Sequence, residues 1–274
     1  MKARAGTLFA RTDLEGLRRS VEREFALLAS LALAAVAIWF FAELADDALE
    51  GDTRAFDRWL LLALRNPADL ADPLGPVWFE EVMRDVTALG STVILVFLSL
   101  ASAGFLWLTG RPRAALLVLG AIGGGFALAY GFKAGFERPR PDLVAHAAQV
   151  STASFPSGHA TLSAVTYLTL GALLARVQPQ RSLKLYLIGL AVLVTIAVGL
   201  SRVYLGVHWP TDVLAGWALG SAWALLCWAF ALWLQRRGRI RPDTENGAGT
   251  ATVTGDVERF PARPARRDPR TGRS

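Results

Sequence analysis

Long apolar runs are the feature that most constrains the fold of this 274-residue chain. Six of them approach the length of about 20 residues that an α-helix needs to cross the hydrocarbon core of a bilayer. They cover residues 25–44, 86–108, 114–132, 160–177, 183–200 and 213–234. A soluble core would instead show apolar stripes that alternate with polar faces. The pattern therefore predicts an all-α, integral membrane protein built as a bundle of six transmembrane helices.

The first apolar run follows a basic N-terminal segment, residues 1–24, and this order is typical of a cleaved signal peptide or of a membrane anchor. The run is long for a signal peptide, and the bulky Trp39-Phe40-Phe41 stand where a cleavage site needs small residues. We interpret the run as an anchor. It opens a predicted transmembrane domain over residues 25–235.

The placement of Lys and Arg predicts how the bundle is oriented. Every second connection is basic: the N-terminus, 109–113, 178–184 and 236–241. Because short basic segments remain in the cytoplasm, both termini are predicted to be cytoplasmic. Segments 133–159 and 201–212 then face outward, on the extracytoplasmic side. Four cations nevertheless lie in them: Lys133, Arg138, Arg140 and Arg202. Cations that break the rule in this way usually serve a function.

Two further segments are predicted to lie outside the bundle. Residues 45–85 form an acidic extracytoplasmic loop, in which Phe56, Trp59, Leu60 and Leu64 recur at helical spacing. These four indicate a short amphipathic helix, which would lie in the membrane interface or belong to a folded loop that covers the bundle. The basic end of the chain, residues 236–274, is rich in Gly, Pro, Thr and Arg and is predicted to be a disordered cytoplasmic tail near anionic lipid.

The net charge and the cysteine content narrow the classes of partner. A formal net charge of +6 suits a protein that binds nucleic acid or an anionic membrane surface. The apolar runs favour the membrane, so no nucleic-acid partner is predicted. Cys227 is the only cysteine and lies inside an apolar run, which excludes a disulfide framework within the chain and a thiolate metal site.

Glycine pairs within the apolar runs predict where helices touch. Gly120 with Gly124, and Gly216 with Gly220, are four residues apart, so each pair shares one face of its helix and permits a close neighbour. The adjacent Gly123–Gly125 run is not a phosphate loop, because no strand precedes it and no Lys-Ser/Thr follows it.

The sequence Phe155-Pro156-Ser157-Gly158-His159 stands just before the fourth apolar run and so at a predicted helix N-terminus. Unpaired backbone N–H groups and the positive end of the helix dipole make such a terminus an anion site. Gly158 has no Cβ to keep an oxyanion away from the backbone. Ser157 can cap the helix or donate its hydroxyl, and His159 can exchange a proton near neutral pH. The motif predicts a bound oxyanion, phosphate above all.

Three clusters of polar residues lie at span ends on this predicted outer face: 133–141, 156–159 and 201–212. Arg and Lys would neutralise a phosphate group there. His208 can attack phosphorus only as the neutral imidazole. Asp212, four residues on, shares a helix face with it once Pro210 has begun the sixth helix, and can hold its other nitrogen. His159, on another helix, can protonate the leaving oxygen. Too few carboxylates remain for a two-metal site, so no metal and no other cofactor is predicted.

The spacing of these residues resembles that of the type 2 phosphatidic acid phosphatase superfamily, whose site vanadium haloperoxidases share. The resemblance covers residues 86–235 and is carried by Lys133 with Arg140-Pro141, by Pro156–His159, and by Ser201-Arg202 with His208 and Asp212. It implies a membrane bundle of six helices. It also implies that five residues bind the phosphate group: Lys133, Arg140, Ser157, Gly158 and Arg202.

The resemblance further implies that His208 is the nucleophile, Asp212 its orienting partner and His159 the general acid. The residues alone leave Arg138 and Arg140 as alternatives for the arginine that binds phosphate, and the family spacing selects Arg140. We expect Arg138 to be a solvated or headgroup charge with Glu137 as its partner. Three other residues have ordinary interpretations as interfacial or capping residues: His146, Tyr204 and Trp209.

Together these features predict a membrane lipid phosphate phosphatase that works through a phosphohistidine and without a metal. The predicted site lies outside a bacterial-type plasma membrane at headgroup level, so the expected substrate is a lipid phosphate. Phosphatidate, phosphatidylglycerol phosphate and undecaprenyl diphosphate all fit. The alternative is a transporter or flippase with an anion pathway, which predicts charges deep within the spans rather than at their ends. A purely structural protein would leave the outward cations without a role, and haloperoxidase activity belongs to relatives that are mostly soluble.

Overall fold

The computed structural model describes residues 3–142 and 153–237. This part of the chain is almost entirely helical. Its helices are α1 (Ala3–Glu50), α2 (Arg54–Leu62), α3 (Val77–Ala88), α4 (Thr92–Leu108), α5 (Pro112–Gly135), α6 (Gly158–Arg176), α7 (Arg181–Tyr204) and α8 (Pro210–Arg236). The predicted all-α fold needs one amendment, because β1 (Arg65–Asn66) and β2 (Asp69–Pro73) pair as a small antiparallel hairpin. His146 and most of the predicted tail lie outside the described residues.

In the described part of the chain, five helices are long and apolar enough to cross a membrane: residues 24–50 of α1, then α5, α6, α7 and α8. A sixth crossing arises if α3 and α4 count as one span, and these two helices are bent by 47° where they meet. The apolar run 86–108 is therefore not the continuous helix that its composition predicts. The break covers residues 89–91, and Gly90 within it lies close to the bundle, since a Cβ there would collide with Val198 and stand 2.9 Å from the Ser163 hydroxyl. Ser91 then caps α4 by accepting from the N–H of Ile94.

Helix α6 packs against α5, α7 and α8, and α1 packs along α8. The predicted contact at Gly216 and Gly220 is confirmed. A Cβ on Gly216 would lie 2.8 Å from the carbonyl oxygen of Ser157, and one on Gly220 would lie 2.5 Å from that of Thr161. The second glycine pair is confirmed only in part, because Gly124 faces the Trp223 ring whereas a Cβ on Gly120 would meet nothing within 4 Å. The backbones of α6 and α8 thus touch near the beginning of both helices.

Residues 51–76 fold over the end of the bundle. Within them α2 is amphipathic as expected, but its buried side chains are Asp57 and Leu61, whereas the Phe56 and Trp59 rings are 46% and 65% exposed. The helix packs against α8, which agrees with the alternative of a folded cover. A buried carboxylate on the packed face requires partners from the bundle, and these partners belong to the candidate site.

The hairpin is fixed to the bundle through Arg65 and Tyr204. The guanidinium of Arg65 is buried and donates to the carbonyl oxygen of Tyr204 at 2.6 Å. The Tyr204 hydroxyl donates in turn to the carbonyl oxygen of Leu74 at 2.9 Å. Tyr204 is only 7% exposed, so the expectation of an interfacial residue at this position was wrong.

Candidate active site

The three polar clusters meet where α5 and α7 end and α6 and α8 begin. The N–H of Ser157 donates to the carbonyl oxygen of Asp212 at 2.9 Å, which joins the second cluster to the third. A guanidinium nitrogen of Arg140 lies 3.2 Å from Nε2 of His208, which joins the first cluster to the third. A Cβ on Gly158 would lie 3.8 Å from Nζ of Lys133, so the first and second clusters also adjoin. All eight predicted site residues thus lie around one region.

His208 is 1% exposed and stands between a carboxylate and a cation. Its Nδ1 lies 3.4 Å from Oδ2 of Asp212, and its Nε2 faces Arg140. A guanidinium can only donate hydrogen bonds, so Nε2 must be the acceptor and the proton of the neutral ring lies on Nδ1. The lone pair that could attack phosphorus therefore points toward the cations, and Asp212 holds the opposite side of the ring.

Burial lowers the pKa of His208 to about 4, although its hydrogen bond and charge interaction with Asp212 act in the opposite direction. Arg202 and Arg140 also lower this pKa, because their positive charges oppose protonation of the ring. Burial lowers the pKa of Arg140 too, with Asp212 acting against the shift. At neutral pH the site therefore holds a neutral His208 beside charged guanidinium groups, and a neutral imidazole is the form that a nucleophile requires.

Lys133 and Arg202 complete the cationic side of the site. Charge repulsion acts between Lys133 and both Arg140 and Arg202. One guanidinium nitrogen of Arg202 donates to the Thr87 hydroxyl of α3 at 3.1 Å, while its buried Nε has no partner among the described residues. Unpaired donors beside repelling cations favour an anion at this position, because it would satisfy both.

The N-terminus of α6 supplies the neutral donors. Ser157 occupies the N-cap position, but its hydroxyl does not cap the helix; it is buried and has no partner in the described part of the chain. His159 is half buried and lies next to Gly90, where a Cβ would stand 3.2 Å from the imidazole Cδ2. The Ser157 hydroxyl and the first N–H groups of α6 are thus available to a ligand, as in anion sites at helix N-termini.

Arg138 differs from its predicted role as a solvated charge, and this expectation was wrong. Its guanidinium donates to Asp212 Oδ1 and to Asp57 Oδ2, at 2.6 Å in both cases. It is a buried partner of the catalytic candidate Asp212, and it forms no ion pair with Glu137. Of the two alternatives that the sequence leaves open, Arg140 faces His208 and Arg138 faces Asp212.

The sequence assigned no site role to two further residues: Ser154, which lies outside the three clusters, and Trp209, which lies in the third cluster and was interpreted as interfacial. Ser154 donates its hydroxyl to Oδ2 of Asp212 in a very short hydrogen bond and lies 3.4 Å from Nδ1 of His208. The N–H of Trp209 donates to the same Oδ2 at 2.9 Å, and its ring N–H donates to the carbonyl oxygen of Pro139 at the same distance. Trp209 therefore supports the site rather than serving only as an interfacial residue. The one sequence feature that could have pointed to Ser154 is its position, three residues before Ser157 at the N-cap of α6.

Within residues 3–142 and 153–237, no three His, Cys, Asp or Glu side chains are grouped so that they could hold a metal ion. The polar groups of the site are mainly donors, and they suit an oxyanion.

Comparison with known proteins identifies the family that this chain resembles. The model of the PAP2 superfamily matches residues 114–236. Phosphatidylglycerophosphatase B of Bacillus subtilis is 36% identical over 146 residues, which is 52% of this chain and 70% of the relative. An undecaprenyl-diphosphatase of Sulfolobus acidocaldarius is 43% identical over 68 residues, which is 25% of this chain and 29% of that protein.

The crystal structure of a transmembrane PAP2-type phosphatidylglycerolphosphate phosphatase from Bacillus subtilis superposes with a TM-score of 0.60 at 29% identity. The match covers 76% of this chain and 98% of that one. Fold, site and relatives together define a helical membrane protein of the phosphatase class. More particularly, the chain belongs to the PAP2 superfamily.

Proposed function

We propose that this protein is a membrane lipid phosphate phosphatase that forms a phosphohistidine on His208 and needs no metal. The observation that carries the proposal is the orientation of His208, whose Nδ1 faces Asp212 and whose Nε2 faces Arg140. A histidine held in this way presents its lone pair to the place where cations and free N–H groups would gather a phosphate group.

The first step transfers the phosphoryl group to the protein. Nε2 of His208 bonds to phosphorus while the bond from phosphorus to the leaving oxygen breaks, and His159 gives that oxygen a proton. The imidazole becomes positively charged as it takes the phosphoryl group, and the Asp212 carboxylate stabilises this charge across Nδ1. Lys133, Arg140 and Arg202 stabilise the negative charge on the equatorial oxygens, together with the Ser157 hydroxyl and the Gly158 N–H.

The second step returns the site to its starting state. Water attacks phosphorus on the side that the leaving group has vacated, and His159 takes a proton from it. The bond between phosphorus and Nε2 breaks, inorganic phosphate leaves and His208 is neutral again. His159 thus acts first as acid and then as base, so protons balance over the cycle.

The substrate class follows from where the site lies. The cluster stands at the ends of four helices that are long and apolar enough to span a membrane, at the level expected of a lipid headgroup. A lipid phosphate could place its headgroup here while its tail stays in hydrocarbon. The named activities of the relatives, on phosphatidylglycerophosphate and undecaprenyl diphosphate, support a lipid monoester or diphosphate, with phosphatidate as a third candidate. We further propose that the site is extracytoplasmic and both termini are cytoplasmic.

The experiment is a phosphate-release assay with purified protein in detergent, across phosphatidate, phosphatidylglycerol phosphate and undecaprenyl diphosphate. We expect turnover of at least one lipid, unchanged by excess chelator and blocked by vanadate, which mimics five-coordinate phosphorus. His208→Ala should reduce turnover on the order of a thousandfold or more. Arg181→Ala, an exposed change at the opposite end of α7, is the matched control and should leave turnover unchanged.

The intermediate can be trapped directly. Protein mixed with a lipid carrying a radiolabelled phosphate and quenched in alkali should retain label, because a bond between phosphorus and nitrogen survives base and breaks in acid. His208→Ala should retain none. Strict dependence on magnesium, or normal turnover by the His208→Ala variant, would contradict the proposed mechanism.

A further inference from the structure

Among the acids whose burial the structure describes, Asp57 on α2 is the most deeply buried one outside the predicted catalytic set. It is 0% exposed, and the hydrogen bonds that its carboxylate accepts come from Thr211 at the N-terminus of α8 and from Arg138. Its Oδ1 accepts from the N–H of Thr211 at 2.9 Å, and its Oδ2 accepts from the Thr211 hydroxyl at 2.7 Å. Asp57 lies outside residues 114–236, the part of the chain that the family model matches.

Arg138 joins this acid to the candidate catalytic acid. Its two terminal nitrogens donate in opposite directions, one to Asp57 and one to Asp212, each at 2.6 Å. The Thr53 and Thr211 hydroxyls accept one further bond each at 2.9 Å. The Arg138 side chain is 11% exposed and both carboxylates are fully buried. One guanidinium thus lies between two buried carboxylates, which we call the 57–138–212 bridge.

The two oxygens of Asp212 have different partners. Oδ1 faces Arg138, whereas Oδ2 faces His208, the Ser154 hydroxyl and the N–H of Trp209. The full positive charge of Arg138 beside Oδ1 would weaken the attraction between the carboxylate and the His208 proton, because the guanidinium draws the negative charge of the carboxylate toward Oδ1. Asp57 offsets that charge from the far side of the guanidinium. The three groups together carry one net negative charge, as Asp212 would alone, while the position of its carboxylate is fixed.

We propose that Asp57 and Arg138 are positioning residues for the reaction, which hold Asp212 in place and set how strongly it attracts the proton of His208. This inference rests on the proposed function, in which His208 is the nucleophile. It also gives the cover formed by residues 51–76 a part in catalysis, since Asp57 reaches the site from α2. Neither residue touches the place proposed for phosphate.

The alternative is that Asp57 and Arg138 only fasten α2 to the bundle. The direction in which each variant shifts the protonation of the His208–Asp212 pair distinguishes this alternative from the proposal. Arg138→Gln removes the cation and leaves both acids, so the His208–Asp212 pair should take up a proton at higher pH than in the wild type. Asp57→Asn leaves the cation uncompensated, so the pair should take up its proton at lower pH. A structural tie would make both changes act alike, because both break the same connection.

The charged groups that face His208 from every packed element stay in place in these variants. They are Asp212 from α8, Arg202 from α7, His159 from α6 and Arg140 from the segment after α5. Opposite shifts of the His208 titration in the two variants can therefore be attributed to the 57–138–212 bridge. We expect each shift to be roughly one pH unit, as for a change of one nearby charge.

The primary measurement does not need activity. The chain has three histidines, so protein with ring-¹⁵N histidine gives three titrating imidazoles, and His208→Gln identifies the one of interest. The full-length protein in detergent is titrated as wild type, Asp57→Asn, Arg138→Gln and the double variant. The double variant removes one charge of each sign and should return the His208 midpoint toward the wild-type value. Asp52→Asn, an exposed acid in the same segment, is the matched control.

Turnover provides the second measurement. With the lipid that the wild type hydrolyses fastest, each single variant should lose about ten- to a hundredfold in kcat, the effect of one charged hydrogen bond, with little change in KM. Thermal unfolding in detergent identifies a single variant that fails to fold, and the other single variant, compared with the double variant, then carries the test. Shifts of the same sign in the two single variants, or no shift in a folded single variant, overturn the inference. A wild type that hydrolyses no lipid overturns the proposed function instead, while the titration still decides the bridge.

Discussion

At the scale of single residues, the two nitrogens of His208 face opposite charges, and this arrangement makes its protonation state predictable. The neutral ring can attack phosphorus and the protonated ring cannot. Because burial lowers the pKa of His208 to about 4, the neutral form persists down to that pH and is lost as the pH falls through it. We expect the acid limb of kcat/KM, which reports the free enzyme, well below the 6.5 of an ordinary histidine.

The phosphate group of the substrate also titrates, near pH 6 for a monoester, and must be told apart from His208. Two substrates with different phosphate pKa values serve this purpose. A limb that belongs to His208 stays at one pH for both, whereas a limb that belongs to the substrate moves with it. An acid limb near 6.5 for both substrates would show that the ring is far less shielded from water than its burial indicates.

Residue types and spacings were enough to predict that the two histidines, the aspartate and the cations lie together, because each stands at a span end in a recognisable motif; their roles stay a prediction. The same spacing could not assign Arg138. Its partner Asp57 is 81 positions away in the chain, and only folding brings the two side chains together. Ser154 was missed for the same reason, since its hydroxyl meets Asp212 across 58 positions.

At the scale of elements, the contact between α6 and α8 sets the geometry of the site. Gly220 faces the backbone of α6, where a Cβ would stand 2.5 Å from the carbonyl oxygen of Thr161 and 2.7 Å from Cβ of Ala164. Backbone cannot move aside as a flexible side chain can. We therefore expect Gly220→Ala to push the helices apart and to destabilise the fold by about 1–3 kcal/mol. Turnover should fall as well, because Ser157 and Asp212 are bonded across this contact.

Gly120 on α5 is the matched control for this change. A Cβ there would meet nothing within 4 Å, so Gly120→Ala should keep full turnover and raise stability by up to about 1 kcal/mol through helix propensity. Thermal unfolding in detergent and phosphate release measure both variants side by side. Equal behaviour of the two alanines would mean that the α6–α8 contact is looser than described.

The transmembrane helices were predicted from the length of the apolar runs. This prediction was right where a run forms one continuous helix. Composition could not reveal the 47° bend between α3 and α4, because the residues around it are as apolar as those of a straight span. Gly90 lies in the break between these two helices, against Val198 of α7 and the His159 ring of α6. Contacts of this kind depend on the assembled bundle and leave no period in the sequence.

At the scale of the whole molecule, the helix ends sort into two groups. α1 ends at Glu50 just before the cover over the site, whereas its Glu24 pairs with Arg236 at the far end of α8 at 3.6 Å. The start of the predicted anchor and the end of the last span therefore lie together, away from the catalytic cluster. This arrangement fits an even number of crossings, with α3 and α4 together forming the sixth.

The proposed sidedness rests on the distribution of Lys and Arg, and cysteine labelling can test it. In a Cys227→Ser background, Ala68→Cys places a thiol in the exposed hairpin and Ser182→Cys places one in the exposed first turn of α7, within the basic segment 178–184. Because basic connections remain in the cytoplasm, an impermeant maleimide added to intact cells should label position 68 and spare position 182 until the membrane is opened. Phosphate release by each variant confirms that it is folded. The reverse labelling pattern would put the catalytic cluster on the cytoplasmic side. Its cations would then obey the charge rule rather than break it. The substrate would have to reach the site from the inner leaflet.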